Sequence, residues 1–190
     1  MKELKEKIIT HGVALNDKVL KVDSFINHQV DPVLMSEIGK YFAEVYKDRN
    51  ITKVATVESS GIAPAVFAAL YLGVDLVVLK KATSKVLSDE LVQTKITSFT
   101  KGVDFELTMS KKYIKENDNV LVIDDFLANG QAAMGAIALI EKVGAKVAAI
   151  GILIEKTFQP GRQLLIDNGY EVCSLARIKS MSAGSVEFEE

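Results

Sequence analysis

Two adjacent carboxylates, Asp124 and Asp125, follow the apolar run Asn119–Ile123 (NVLVI) and precede Phe126-Leu127-Ala128-Asn129-Gly130-Gln131-Ala132-Ala133. Neighbouring carboxylates repel, so such a pair at the mouth of a strand makes sense where it accepts hydrogen bonds from a diol or lies near a metal. The turn that follows, with Gly130 among small residues, exposes backbone N–H groups at a helix N-terminus, and the helix dipole adds to their attraction for phosphate. The plain alternative is an acidic pair that solvates a loop and caps a helix; these residues by themselves leave both open. Glu58-Ser59-Ser60-Gly61 is a second candidate, because hydroxyls and a glycine that admits an unusual backbone shape suit close approach to phosphate. It also reads as a strand-to-helix turn in which Ser60 caps the helix opening at Ile62.

The elements that must carry these residues alternate. Lys53–Val57, Leu76–Lys80, Asn119–Ile123, Lys146–Ile154 and Glu171–Ala176 are strand-like, while Ile62–Leu72 and Gln131–Val143 have helical spacing. Val/Ile/Leu runs without polar alternation predict strands buried on both faces, hence a mostly parallel sheet flanked by helices in a doubly wound α/β domain. In such sheets ligands sit beyond the carboxyl ends of the strands, here the loops after Val57, Lys81, Ile123 and Ile154. Residues 1–50 lie outside the alternation and hold an amphipathic N-terminal helix, an irregular stretch over 20–29 and a helix opening at Asp31-Pro32, a good start signal. From Glu155 onward come a turn at Phe158-Gln159-Pro160-Gly161 and a polar tail. The expectation is a single domain over 1–190, with a core of about 36–154 and a small hood from about 1–35 and 155–190. The polar segment 82–101 has no clean period and reads as a lid or extended hairpin.

Composition excludes several classes. Net charge is −2 and no Lys/Arg stripe is dense enough to grip nucleic acid. No apolar run reaches the length of a membrane span, and the charged start MKELKEKIIT is unlike a secretory signal, so a cytoplasmic location is expected. The one cysteine, Cys173, lies in an apolar run and reads as a structural thiol. His11 and His28 are not spaced as metal ligands, and no metal-ligating side-chain set is assigned.

Val120–Ala132 resembles the phosphoribosyl-pyrophosphate signature of the type I phosphoribosyltransferases. Leu20-Lys-Val-Asp-Ser-Phe-Ile-Asn-His-Gln29, Glu58-Ser-Ser-Gly-Ile-Ala-Pro-Ala65, Ile154-Glu-Lys-Thr-Phe-Gln-Pro-Gly-Arg162 and Leu175-Ala-Arg-Ile178 extend the likeness over nearly the whole chain, toward the xanthine-specific bacterial branch. The resemblance implies that Asp124 and Asp125 hold the ribose hydroxyls, as the catalytic pair. Ala128, Asn129, Gly130, Gln131 and Ala132 would wrap the 5′-phosphate of phosphoribosyl pyrophosphate, and Ser59, Ser60 and Gly61 the pyrophosphate. Ala128 and Ala132 supply no hydroxyl where many relatives have Thr or Ser, which leaves the phosphate mainly to backbone N–H groups. For xanthine the implied contacts are Leu20, Asn27 and Lys156, with Phe25 or Phe158 as stacking candidates. Lys80, Lys81 and Lys85 are candidates to meet pyrophosphate. The implied reaction is purine salvage, giving xanthosine monophosphate, with Mg²⁺ bound mainly through phosphoribosyl pyrophosphate and a homodimer as the assembly. Two rivals are a guanine or hypoxanthine enzyme of the same family and a non-catalytic sensor of phosphoribosyl pyrophosphate.

Overall fold

The structure, a computed structural model, describes residues 1–81, 90–98 and 103–189. Its centre is a sheet of six strands: β3 (Lys53–Val57), β4 (Asp75–Leu79), β7 (Asn119–Leu127), β8 (Lys146–Lys156), β9 (Val172–Ser182) and β10 (Ser185–Phe188). The spatial order is β10-β9-β8-β7-β3-β4, parallel throughout except for the antiparallel pair β9–β10. Two short antiparallel pairs stand apart, β1 (Val13–Ala14) with β2 (Leu20–Lys21), and β5 (Leu91–Ser98) with β6 (Val103–Ser110).

Successive residues of the inner strands feed opposite faces, as a pleated strand must. Val54, Leu121 and Ile123 pack with α1 (Lys2–His11), α2 (Pro32–Tyr46) and α3 (Ile62–Leu72) through Leu4, Ile8, Met35, Ile38, Phe42 and Ala68. Ala55, Val120 and Val122 face the other way, against Ile137 and Ile140 of α4 (Gln131–Lys142), Leu165 of α5 (Gly161–Asp167) and Val92, Leu107 and Met109 of the β5–β6 hairpin. The expected mostly parallel sheet with helices on both faces is present. Asp31 caps α2 as its sequence signal indicated, accepting the Leu34 N–H at 3.1 Å. Lys7 reaches the same carboxylate at 2.8 Å and ties α1 to α2.

Several boundaries move. β7 and β8 run on to Leu127 and Lys156, beyond the expected ends at Ile123 and Ile154, because each continues to pair with its neighbour. The stretch over 20–29 resolves into β2 and a π-helical turn at Asp23–Asn27. From Glu155 onward the strand expected at Glu171–Ala176 is β9, and the remainder, expected as a turn and a polar tail, also supplies α5 and β10; alternation in β10 is polar because one side stays exposed. N- and C-terminal segments meet: Gly184 N–H donates to the Ala14 carbonyl at 2.9 Å, and Lys5 Nζ to the Glu189 carbonyl at 3.1 Å. Of the lid expected over 82–101, residues 82–89 and 99–101, including Lys85, lie outside the described residues, while Leu91–Ser98 is one strand of the hairpin. Among the described residues no helix is long and apolar enough to cross a membrane.

Candidate active site

β3 leads through α3 outward to β4, whereas β7 leads through α4 in the other direction, to β8. The crevice between β3 and β7 is therefore the topological switch point, where open α/β sheets bind ligands beyond their strand ends. The pairing itself parts there. β3 and β7 are in register from Lys53↔Val120 to Ala55↔Val122, while β7 stays beside β8 through Asp124↔Ile152 and on to Leu127↔Glu155. Asp124 and Asp125 thus lie within β7, on the edge that β3 has left, rather than in a loop after the strand.

Asp124 is 9% exposed and accepts the Asp125 backbone N–H on Oδ1 at 3.0 Å. Burial, and after it the charge of Asp125, push the Asp124 carboxyl well above the usual carboxylate range, with Lys81 pulling the other way. Burial also raises Asp125, against hydrogen bonds that involve Asp124, the backbone and the Ser60 side chain. Two carboxyls that have lost water and repel each other are poised to accept hydroxyl donors, and a vicinal diol is the matching ligand.

The turn after β3 closes on this pair. Glu58 accepts the Lys81 N–H on Oε1 at 2.6 Å, and its Oε2 lies 3.3 Å from Lys80 Nζ, so the ends of β3 and β4 are held together. The Glu58–Ser59 peptide bond is cis. Two expectations for this turn fail. Gly61 has an ordinary helical backbone, φ −75°. What requires glycine is space, since a Cβ would stand 2.2 Å from Thr56 Oγ1 and 3.2 Å from the Ile123 carbonyl oxygen. Nor does Ser60 cap α3, which starts after Gly61 with no side-chain cap. Its side chain instead works to hold the Asp125 carboxyl down, against the effect of burial. Ser59 is exposed.

Gly130 sits in the left-handed region, φ +82°, which turns the chain from β7 into α4. The loop is braced from behind by Gly161, whose N–H donates to the Ala128 carbonyl at 2.9 Å. A Cβ on Gly161 would lie 2.4 Å from that oxygen and 2.9 Å from the Gly130 nitrogen. The first backbone bond of α4 found here runs from Met134 N–H to the Gly130 carbonyl at 2.9 Å. The N–H groups of Gln131, Ala132 and Ala133 precede it, the donors that a helix start offers to an anion. Asn129 was expected to help hold phosphate; its amide oxygen takes the Gln131 N–H at 3.3 Å, one of those same donors.

On the other side of the loop a cleft of about 580 Å³ is lined by Ala128, Asn129, Lys156, Phe158, Lys18 and Val19, among others. Lys156 Nζ donates to the Lys18 carbonyl at 2.5 Å and lies 5.4 Å from the Phe126 ring centroid. Burial lowers its pKa. The structure thus brings Lys156 to the Ala128–Asn129 turn, but Leu20 and Asn27 are not among the residues lining this cleft. Leu20 is 8% exposed in the core, and Asn27 ends the Asp23–Asn27 turn exposed to solvent. Phe25, 1% exposed, is a packing residue; Phe158, 45% exposed, is the ring that faces the cleft. A larger cavity of about 980 Å³, at the outer edge of β4, meets the expected residues only at Lys80. Among the described residues no three His, Cys, Asp or Glu side chains converge as a metal site. Sequence reasoning passed over Glu155, Gly161 and the Lys18 carbonyl. Only Glu155 left a signal: an acid inside the apolar run Lys146–Lys156, with Arg162 following.

The model of the phosphoribosyl transferase domain matches residues 30–185. The chain is 58% identical over 188 residues to xanthine phosphoribosyltransferase 1 of Clostridium botulinum (strain Hall), covering 99% of each protein. It is 54% identical over 188 residues to xanthine phosphoribosyltransferase of Clostridium acetobutylicum, covering 99% of this chain and 100% of that one. Among solved structures, the APRTase of Giardia lamblia complexed with 9-deazaadenine superposes with a TM-score of 0.77 at 24% identity, over 92% of this chain and 97% of the other. Adenine phosphoribosyltransferase from Rhodothermus marinus gives a TM-score of 0.74 at 22% identity, over 93% and 99%. These two likenesses speak to the fold alone. With the acidic pair and the glycine loop meeting at the switch point, and with matches spanning nearly the full chain, the protein belongs to the phosphoribosyltransferase family.

Proposed function

We propose that this protein transfers the 5-phosphoribosyl group of phosphoribosyl pyrophosphate to N9 of xanthine, giving xanthosine 5′-monophosphate and pyrophosphate. The observation that carries this reading is that Asp124 and Asp125 stand on the edge of β7 that β3 has left, and that the chain runs from that strand through Ala128–Gly130 directly into the start of α4. Carboxylates that would accept ribose 2′- and 3′-hydroxyls are followed, a few residues along the chain, by backbone donors at the start of α4 that would take the 5′-phosphate. Ser59, Ser60 and Gly61 would receive pyrophosphate across the crevice, beside Lys80 and Lys81.

In the reaction the C1–N9 bond forms as the C1–oxygen bond to pyrophosphate breaks, the electron pair leaves with pyrophosphate, and the proton given up by the imidazole ring of xanthine passes to solvent. The work left to the chain is positioning and stabilisation of developing charge. The hard oxygen donors Asp124 and Asp125 suit a magnesium ion held mainly by oxygens of phosphoribosyl pyrophosphate, and such an ion supplies charge neutralisation on the leaving group. Lys156, a donor on the cleft wall, suits the exocyclic oxygen of an oxopurine and disfavours adenine, which presents an amine there. Phe158 offers a face to the ring. Asn27 and Leu20 would complete the base site from the N-terminal segment, with Asn27 reaching the second oxo group that separates xanthine from guanine. The names of the relatives at 54–58% identity support xanthine over guanine and hypoxanthine.

A homodimer is part of the same reading. All eleven residues of α3 (IAPAVFAALYL) are apolar or aromatic, the pattern of a helix covered on every side. Yet Val66, Leu70 and Tyr71 are 47%, 66% and 46% exposed. A second copy would cover that face; sedimentation as a monomer at micromolar concentration would remove this part.

The deciding experiment is a steady-state comparison of xanthine, guanine, hypoxanthine and adenine with Mg²⁺ and phosphoribosyl pyrophosphate. Xanthine should give the highest kcat/KM and adenine the lowest. No turnover with any purine sinks the enzyme reading.

A further inference from the structure

Lys156 and Gly161 serve different ligands in the proposed reaction, the first the base and the second, through the Ala128 carbonyl, the phosphate loop. They nevertheless share one short span, Glu155-Lys156-Thr157-Phe158-Gln159-Pro160-Gly161-Arg162, whose two ends are joined by an ion pair. Glu155 is 1% exposed. Arg162 meets it with a fork: Nε to Oε1 at 2.8 Å and Nη2 to Oε2 at 2.8 Å. Arg177 adds Nε to Oε1 at 3.4 Å. Inside the span the Gln159 N–H donates to the Lys156 carbonyl at 3.0 Å, and Thr157 is pinned to β9 through its N–H, 2.9 Å from the Ile178 carbonyl oxygen. The last link is the Gly161 N–H on Ala128.

A buried ion pair is a poor way to gain stability, since desolvation cancels much of the attraction and an apolar pair of similar volume would pack as well. What a planar fork on a carboxylate does provide is one fixed geometry. We propose that the Glu155–Arg162 pair is a positioning device that sets the distance between Lys156 and the phosphate loop, so that base and phosphoribosyl group are held at one spacing for attack. Neither residue touches a substrate; both act through Lys156 and Gly161. The span works as a bracket with a base contact near one end and a loop brace near the other. A shift of its ends then disturbs both substrate sites at once, and misplacement on the ångström scale can cost up to about a hundredfold in rate.

This inference rests on the proposed reaction, so the test separates the two. Turnover by the unaltered enzyme addresses the reaction, and calorimetric titration of phosphoribosyl pyrophosphate carries the comparison of variants even without turnover. Arg162→Gln removes charge and fork; Arg162→Lys keeps the charge and loses the fork. With both substrates varied, Arg162→Gln is expected to raise KM for xanthine and for phosphoribosyl pyrophosphate together, each by roughly tenfold, with a matching loss of calorimetric affinity. Arg162→Lys should fall between it and the unaltered enzyme. A purely structural pair would lower the folded fraction and therefore Vmax, leaving both KM values and the calorimetric affinity unchanged, and that outcome overturns the proposal. A rise in only one KM overturns it as well. If Arg162→Gln does not fold, Arg162→Lys decides, by the same two constants.

Discussion

Asp124 with Asp125 on β7, and Glu155 on the neighbouring β8, place buried carboxyls near the same end of one sheet, with Leu127 paired opposite Glu155. Their surroundings differ completely. Glu155 is enclosed by Arg162 and Arg177. Burial works to raise its carboxyl, but the hydrogen bonds from Arg162 and Ser174 and the charges of both arginines outweigh burial and hold it below its usual value. The Asp124–Asp125 pair has no arginine against it among the described residues, and both carboxyls are raised. A carboxylate whose charge is answered within the fold has an architectural task. Carboxylates left facing one another make sense when the answer arrives with a ligand.

That contrast breaks most sharply at Asp125. Asp125→Asn should cut kcat/KM for phosphoribosyl pyrophosphate by roughly a hundredfold, the scale seen when one preorganised polar contact is lost. Its thermal midpoint should be unchanged or higher, because a like-charge repulsion goes with it. Unchanged kinetics would remove Asp125 from the site. Glu155→Gln should behave in the opposite sense on stability. It leaves two arginines unanswered, and since Arg162 and Arg177 keep 28% and 41% of their side-chain exposure, the cost is below that of a fully buried pair. Chemical denaturation should show a loss of about 2 kcal/mol. A Glu155→Gln protein as stable as the parent would mean that Glu155 has no architectural task.

The smallest effect is in pH, and its sign differs between the two places. Glu155 is depressed in the fold, so its stabilisation is present above the unfolded glutamate pKa and is lost as pH falls through its folded value. The aspartates are raised, so their folded form retains protons. Their contribution weakens as pH climbs from the ordinary carboxylate range through the raised values, while affinity for a diol, which needs ionised acceptors, grows over the same interval. Glu155→Gln should flatten the stability profile below the ordinary glutamate pKa, and Asp125→Asn should flatten it above the ordinary aspartate pKa. Identical profiles would mean that the two sites titrate alike.

Much of this was legible along the chain. The unbroken apolar runs around Val54, Leu121 and Ile150 point to strands covered on both faces, so the layered α/β plan followed from burial periodicity, whereas Asp124, expected at the strand mouth, lies within β7. Gly130 announced a turn into a helix, and the left-handed φ bears that out. The Asp31-Pro32 start was equally local. Gly61 answers a spacing requirement rather than a backbone one, because β3 and β7 bring Thr56 Oγ1 and the Ile123 carbonyl oxygen up against it. Ser60, expected to cap α3, leaves it uncapped and acts on Asp125 of β7.

What the sequence by itself determined is whatever depends on neighbours a few residues apart: the strand and helix periods, the Asp31 cap, the glycine turn, and the acidic pair followed by small residues. The tertiary structure alone decided where β3 stops accompanying β7, which leaves the acidic edge without a strand partner on that side. It also decided that Gly161 supports the Gly130 turn and that Arg162 answers Glu155. Those outcomes depend on strand order and on which loops meet at the switch point, and a linear pattern carries no term for contacts between segments that only folding brings within hydrogen-bonding distance.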